Sequence, residues 1–186
     1  MFDNPQVFQS VINFLDEHKI PYMVIGGLTM AIWGEGRATH DADFKVIIDT
    51  PLDEFRKLIL DRFPERPTKI PVHKKSQYVL QVWAAPDVAT DLLVCIFDYE
   101  KEAVRRAVTT EIMGVPTRVC TPEDFIIHKA IANRGKDWLD IPQVLFRQRG
   151  KLDLKYIRKW LTQFADALEI PELLTRFEQL YEESNN

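Results

Sequence analysis

Cysteine is scarce in this chain of 186 residues, with two in all. Cys95 and Cys120 lie far apart and outside any metal-ligand spacing, which excludes a disulfide scaffold and a zinc ribbon. Both sit in apolar, strand-like runs, so buried thiols in a reducing compartment are expected. Long apolar runs are missing too. The longest, Leu92 to Phe97, falls far short of a membrane span. The opening Met1-Phe2-Asp3-Asn4-Pro5 lacks the basic and apolar stretches of a signal peptide, and a cytoplasmic protein with no membrane partner is expected. There is no excess of positive charge: 24 Lys and Arg stand against 28 Asp and Glu, a net of −4, which disfavours a globally basic nucleic-acid binder. No internal repeat or low-complexity segment occurs.

What is present reads as one globular domain with an appendage. Hydrophobic residues make up 46% and charged residues 28%, enough apolar material for a core without cross-links. Asn4-Pro5 predicts a helix start, followed by Phe8, Val11, Ile12 and Leu15 at helical spacing. Tyr22 to Ile25 reads as a buried strand, Leu28 to Trp33 as a short helix, and Ala42 to Ile48 as a strand. Thr50 with Asp53 three residues on predicts a capping box for a helix reaching Phe63. Strands are expected over Gln77 to Trp83 and Val88 to Phe97, then a helix over Tyr99 to Val108 and a hairpin turning at Met113-Gly114. Thr121-Pro122-Glu123-Asp124 is the strongest helix start, and everything after it reads as helix. Asp140, with Pro142 just behind it, reads as a second helix start in this region. The order predicts an α+β fold, a mixed central sheet flanked by helices over residues 1–120 and a helical C-terminal part over 121–186 packed on it.

The chemistry is concentrated in three acids. Asp41 and Asp43 are two apart on a strand and so share a face. Two carboxylates side by side repel unless a cation lies between them, and magnesium takes one or two carboxylates together with substrate phosphates. Asp91 opens the apolar run Leu92-Leu93-Val94, an expensive place for a charge unless it is paired or metal-bound. If the two strands are neighbours, the three carboxyls converge within about 4–6 Å, close enough for mutual charge coupling. Upstream, Gly26-Gly27 ends a strand and opens a helix, a turn that lets backbone N–H groups approach a phosphate.

Taken together, Val24-Ile25-Gly26-Gly27, Arg37-x-Thr39-x-Asp41-x-Asp43 and Thr90-Asp91-Leu92-Leu93 resemble the DNA polymerase β-type nucleotidyltransferase superfamily. Thr121 to Ala132, with Arg134, Lys136-Asp137 and Asp140-Ile141, is similar to its small bacterial branch, which includes abortive-infection-type toxins. The resemblance spans residues 22–141 and implies the nucleotidyltransferase fold. It implies that Asp41, Asp43 and Asp91 hold two magnesium ions, with manganese as an alternative, and that Asp91 doubles as a base. It assigns Gly26, Gly27, Thr29, Arg37 and Lys129 to the nucleotide. Many members carry Gly-Ser where this chain has Gly26-Gly27, which shifts phosphate contact onto backbone, Thr29 and Arg37. The substrates implied are a nucleoside triphosphate and an acceptor hydroxyl on RNA, protein or a small molecule. A toxin–antitoxin role with an antitoxin protein as partner follows from the branch alone.

Several residues keep bland readings. Thr39 reads as satisfying loop backbone, His40 as exposed, and Lys69, His73, Lys74 and Lys75 as a solvated basic loop. Residues 129–159 hold nine Lys and Arg against three acids, a local +6 that suits an RNA or phosphorylated acceptor, while 160–186 are locally −5. The competing reading is a non-catalytic module of the same fold that binds nucleotide or a partner. Retention of all three acids speaks against it.

Overall fold

The computed structural model describes residues 3–36, 38–67 and 76–185. Arg37 and the basic loop with Lys69, His73, Lys74 and Lys75 lie outside the described residues. The chain forms two compact units, one of residues 1–28 and 38–119, the other of residues 29–37 and 120–186.

Among the described residues, the six strands all fall in the first unit. In chain order its elements are α1 (Pro5–Glu17), β1 (Tyr22–Ile25), the start of α2 (Gly27–Trp33), β2 (Asp41–Val46), α3 (Leu52–Arg62), β3 (Val79–Ala85), β4 (Val88–Val94), α4 (Asp98–Arg106), β5 (Val108–Ile112) and β6 (Val115–Val119). They form one mixed sheet in the order β3-β4-β2-β1-β6-β5. β2 and β4 run parallel, as do β1 and β6, and the other neighbours are antiparallel. The α+β expectation holds.

The sheet's two faces divide by alternation. Ala42, Phe44 and Val46 of β2, Leu92 and Val94 of β4, and Leu80 and Val82 of β3 are buried. Helix α1 supplies a partner for this face: Asn4 caps it by accepting from the Val7 amide at 3.0 Å, and Pro5 stands at its first turn. Its Phe8 ring lies 5.8 Å from that of Phe44, and Phe14 meets Phe63 edge-on at 5.2 Å. Aromatic pairs of this kind add about 0.5–1.5 kcal/mol beyond the area they bury. The residues between, Asp41, Asp43 and Lys45, project to the opposite face. There Lys45 is buried against Glu100 of α4, whose other oxygen accepts from the amides of Ile96 and Phe97. The β5–β6 hairpin turns through Met113 (φ 53°) and Gly114 (φ 74°), the left-handed pair that suits right-twisted strands.

The second unit contains the rest of α2 and four helices: α5 (Pro122–Ala132), α6 (Gly135–Arg147), α7 (Leu154–Ala167) and α8 (Glu172–Asn185). Thr121 caps α5 as expected, accepting from the Asp124 amide at 3.1 Å. Both cysteines are buried and free. Among the described residues no helix is long and apolar enough to cross a membrane.

Two local expectations fail. Helix α3 starts one residue later than the capping box requires: its N-cap is Pro51, which has no side-chain cap, and Thr50 stands exposed outside it. Asp53 and Glu54 instead occupy the first turn, where their charge favours the helix dipole. Asp140 is not a helix start either. Helix α6 runs unbroken from Gly135 with Pro142 inside it. An interior proline costs about 3 kcal/mol or more. The burial of Trp138, Ile141, Val144 and Leu145 on one face, with Asp140 paired to a lysine, outweighs that local preference.

Candidate active site

The register of the sheet builds the site. Asp43 on β2 stands opposite Asp91 on β4, and Asp91 in turn stands opposite Gln81 on β3. On the other side Asp43 faces Ile25, the last residue of β1. One row across four strands therefore reads Gln81, Asp91, Asp43, Ile25, and the next row on the same face carries Trp83, Ala89 and Asp41. Asp41, Asp43 and Asp91 each offer a carboxylate oxygen, and these atoms lie within 4.8 Å of one another. At an effective dielectric near 20, two charges at that separation repel by roughly 3 kcal/mol. All three side chains are only partly buried, so water and a cation can reach them.

The surroundings hold each acid. Asp91 Oδ1 pairs with the Arg66 guanidinium, and Oδ2 accepts from Gln81 Nε2 at 2.9 Å. Arg66 is fixed in turn: its backbone amide donates to the Gln81 carbonyl at 2.8 Å, and its guanidinium lies 5.8 Å from the centre of the Trp83 ring. The Thr39 hydroxyl lies 3.2 Å from Asp41 Oδ1. Gly26, at φ 73°, sits against Asp43, so a Cβ there would strike the Asp43 carboxylate. Close approach and left-handed backbone both require glycine at this position. A cleft of about 390 Å³ has Arg66, Trp83, His40, Asp87 and Asn4 among its walls and meets the cluster through Arg66, the partner of Asp91.

Of the residues expected from sequence, Asp41, Asp43, Asp91, Gly26 and Gly27 are brought together within the first unit. Thr29 is wholly buried on α2, with its Oγ1 4.0 Å from the Cys120 thiol. Lys129 belongs to the helical unit. Its ammonium lies 3.0 Å from Asp137 Oδ1 and 2.7 Å from Asp140 Oδ2, and 8% of the residue is exposed. Its charge is thus committed to two carboxylates. Arg66 and Gln81 were not legible in the sequence, since only the pairing of β3 with β4, and the bridge of Glu65 to Val82 on β3, bring them to Asp91.

Three convergent carboxylates supply hard oxygen donors of the kind that magnesium or manganese takes, and the cluster can hold a metal ion. Over residues 5–179 the chain matches the family described as "Nucleotidyl transferase of unknown function (DUF2204)", and it belongs to that family. No curated protein matches it. Among solved structures it is similar to an antigenic nucleotidyltransferase-like protein from Paracoccidioides brasiliensis, at 18% identity and a TM-score of 0.51, covering 93% of this chain and 91% of that one. It is also similar to the lincomycin-bound lincosamide antibiotic adenylyltransferase LnuA, at 11% identity and a TM-score of 0.50, covering 76% and 96%. At these identities the likeness establishes the fold, and with the family it makes the protein an enzyme of the nucleotidyltransferase class.

Proposed function

We propose that the protein moves a nucleoside monophosphate from a nucleoside triphosphate to an acceptor hydroxyl, with pyrophosphate as the second product. The observation that carries this is the convergence of Asp41, Asp43 and Asp91 within 4.8 Å beside a Gly-Gly turn. In this reading the three acids hold magnesium, or manganese in its place, which when bound supplies positive charge to the triphosphate and to the attacking oxygen. Gly26 and Gly27 form the turn at the end of β1, and in this reading its backbone amides meet the triphosphate. Asp91 takes the proton of the acceptor hydroxyl as the new oxygen–phosphorus bond forms and the bond from the α-phosphorus to the pyrophosphate oxygen breaks. The acceptor enters by the cleft beside Arg66, on the β3 side of the cluster, opposite the Gly-Gly turn on the β1 side. Residues 1–120 carry this chemistry, in a protein we place in the cytoplasm.

An RNA acceptor is supported by the +6 segment of residues 129–159. A toxin role with an antitoxin partner rests on the sequence resemblance. A second reading has one observation in its favour: Asp91 already has two protein partners, Arg66 and Gln81, as it would in a module that binds nucleotide without turning it over. Labelled nucleoside triphosphates with magnesium and either bulk RNA or cell extract separate the two. The enzyme transfers label, and Asp41→Ala/Asp43→Ala abolishes transfer. Magnesium-dependent nucleotide binding with no transfer in any extract supports the module instead.

A further inference from the structure

Asp41 is held by a residue that the sequence offers only as a loop-former. Thr39 precedes it by two and is 9% exposed. Its hydroxyl lies 3.2 Å from Asp41 Oδ1 and 3.4 Å from the Asp41 carbonyl oxygen. The other side of Thr39 faces the Gly-Gly turn. A Cβ built on Gly27 would stand 2.6 Å from Thr39 Oγ1 and 2.7 Å from Thr39 Cβ, closer than real Cβ atoms come. No positive φ is recorded for Gly27, so space alone forbids a side chain there. Thr39 therefore fills the volume that residue 27 leaves empty, and from that place its hydroxyl reaches the carboxylate.

We propose that Thr39 is a positioning residue of the active site: its hydroxyl fixes the Asp41 carboxylate for a divalent cation, and Gly27 is glycine because Thr39 occupies its side-chain space. The inference rests on reading the three acids as the metal site. A threonine suits the task better than a longer side chain, because branching at Cβ leaves χ1 few choices. A carboxylate held in one rotamer before the metal arrives does not have to be ordered by it. Partners that orient a ligand in this way typically change metal affinity by about 10–100-fold when removed.

The probe is manganese alone, titrated without nucleotide and followed by calorimetry or by the electron paramagnetic resonance of free manganese. Asp41→Asn tests the underlying reading, and it must abolish or gravely weaken binding. If Asp41→Asn binds manganese like the parent, the metal site itself is wrong. Given that loss, Thr39→Val, which keeps the shape and removes the donor, is expected to weaken binding by about 10–100-fold, and Thr39→Ser to restore most of it. Thr39→Val at parental affinity overturns the proposal while leaving the metal site standing, and so does Thr39→Ser no better than Thr39→Val. If Thr39→Val does not fold, Thr39→Ala carries the same comparison. The steric half has its own test. Gly27→Ala lowers the melting temperature of the parent more than that of Thr39→Gly, because the clash disappears in the second background. An equal drop in both refutes the coupling.

Discussion

Removing Arg66 should destabilise the metal-free protein and make its stability more dependent on divalent cations. The guanidinium sits on Asp91 Oδ1, and both side chains are partly buried, at 21% and 16% exposure. Hydrogen bonds to charged groups contribute about 1.5–3 kcal/mol. Asp91 would keep Gln81 as a donor, but its charge would then face carboxylate oxygens of Asp41 and Asp43 within 4.8 Å. Each such pair repels by roughly 3 kcal/mol at an effective dielectric near 20, and the Arg66 charge offsets part of this. For a chain of this size 1 kcal/mol moves the melting temperature by about 2–4 °C, so Arg66→Ala should lower it by about 3–12 °C in chelator. A divalent ion at the same acids replaces the missing charge. Saturating magnesium should therefore raise the melting temperature of Arg66→Ala by several degrees more than that of the parent. Calorimetric or dye-monitored melting, with chelator and with magnesium, reads both quantities. An unchanged melting temperature in chelator, or an equal magnesium shift in the two proteins, refutes the view that Arg66 holds the place of a cation at Asp91.

Four further outcomes follow from other parts of the structure. Burial opposes ionisation of Asp137, yet the hydrogen bonds and charges of Arg134 and Lys129 outweigh it and hold its carboxyl below the usual value of 3.8. Its stabilising effect is complete above that value and is lost as pH falls through the lower folded value. Asp137→Asn should flatten this acid limb in a plot of stability against pH, and Lys129→Met, which takes the shared ammonium from Asp140 and Asp137 and leaves Asp137 with Arg134, should cost about 3–5 kcal/mol in denaturant titration. Burial pushes the Cys95 thiol up to about 12, and burial likewise raises Cys120, so neither should react with a thiol reagent at pH 8 until the protein is unfolded. Phe44→Ala empties a fully buried site between Phe8 and Tyr22 and should cost about 3–5 kcal/mol in the same titration.

The acids were legible because their signal is local. Two aspartates at strand spacing must share a face, and a charge at the head of an apolar strand asks for a partner. The convergence of Asp91 on the other two depends on β4 lying parallel to β2, which no local pattern encodes. Arg66 and Gln81 were hidden for the same reason, since they reach Asp91 through pairing across β3. Thr39 was visible as a residue but not as a contact: nothing in the sequence shows that Gly27 would lie against it. The misreadings at Thr50 and Asp140 share one cause. Both trusted a terminus signal, the capping pattern in one case and Pro142 in the other, where burial of the helix face set the boundary.

The parallel pairing of β2 with β4 also bears on how the protein reaches its native state. Asp43 and Asp91 stand side by side in the sheet, yet 91 − 43 = 48 positions separate them along the chain, a stretch that includes α3 and β3. Closing a loop of that length costs on the order of 3–4 kcal/mol of chain entropy before the pairing repays it. Such long-range contacts slow folding relative to a helical bundle of equal size. Asp91 therefore meets the other two acids only when β4 docks on β2. Magnesium added during refolding should accordingly slow unfolding far more than it speeds folding.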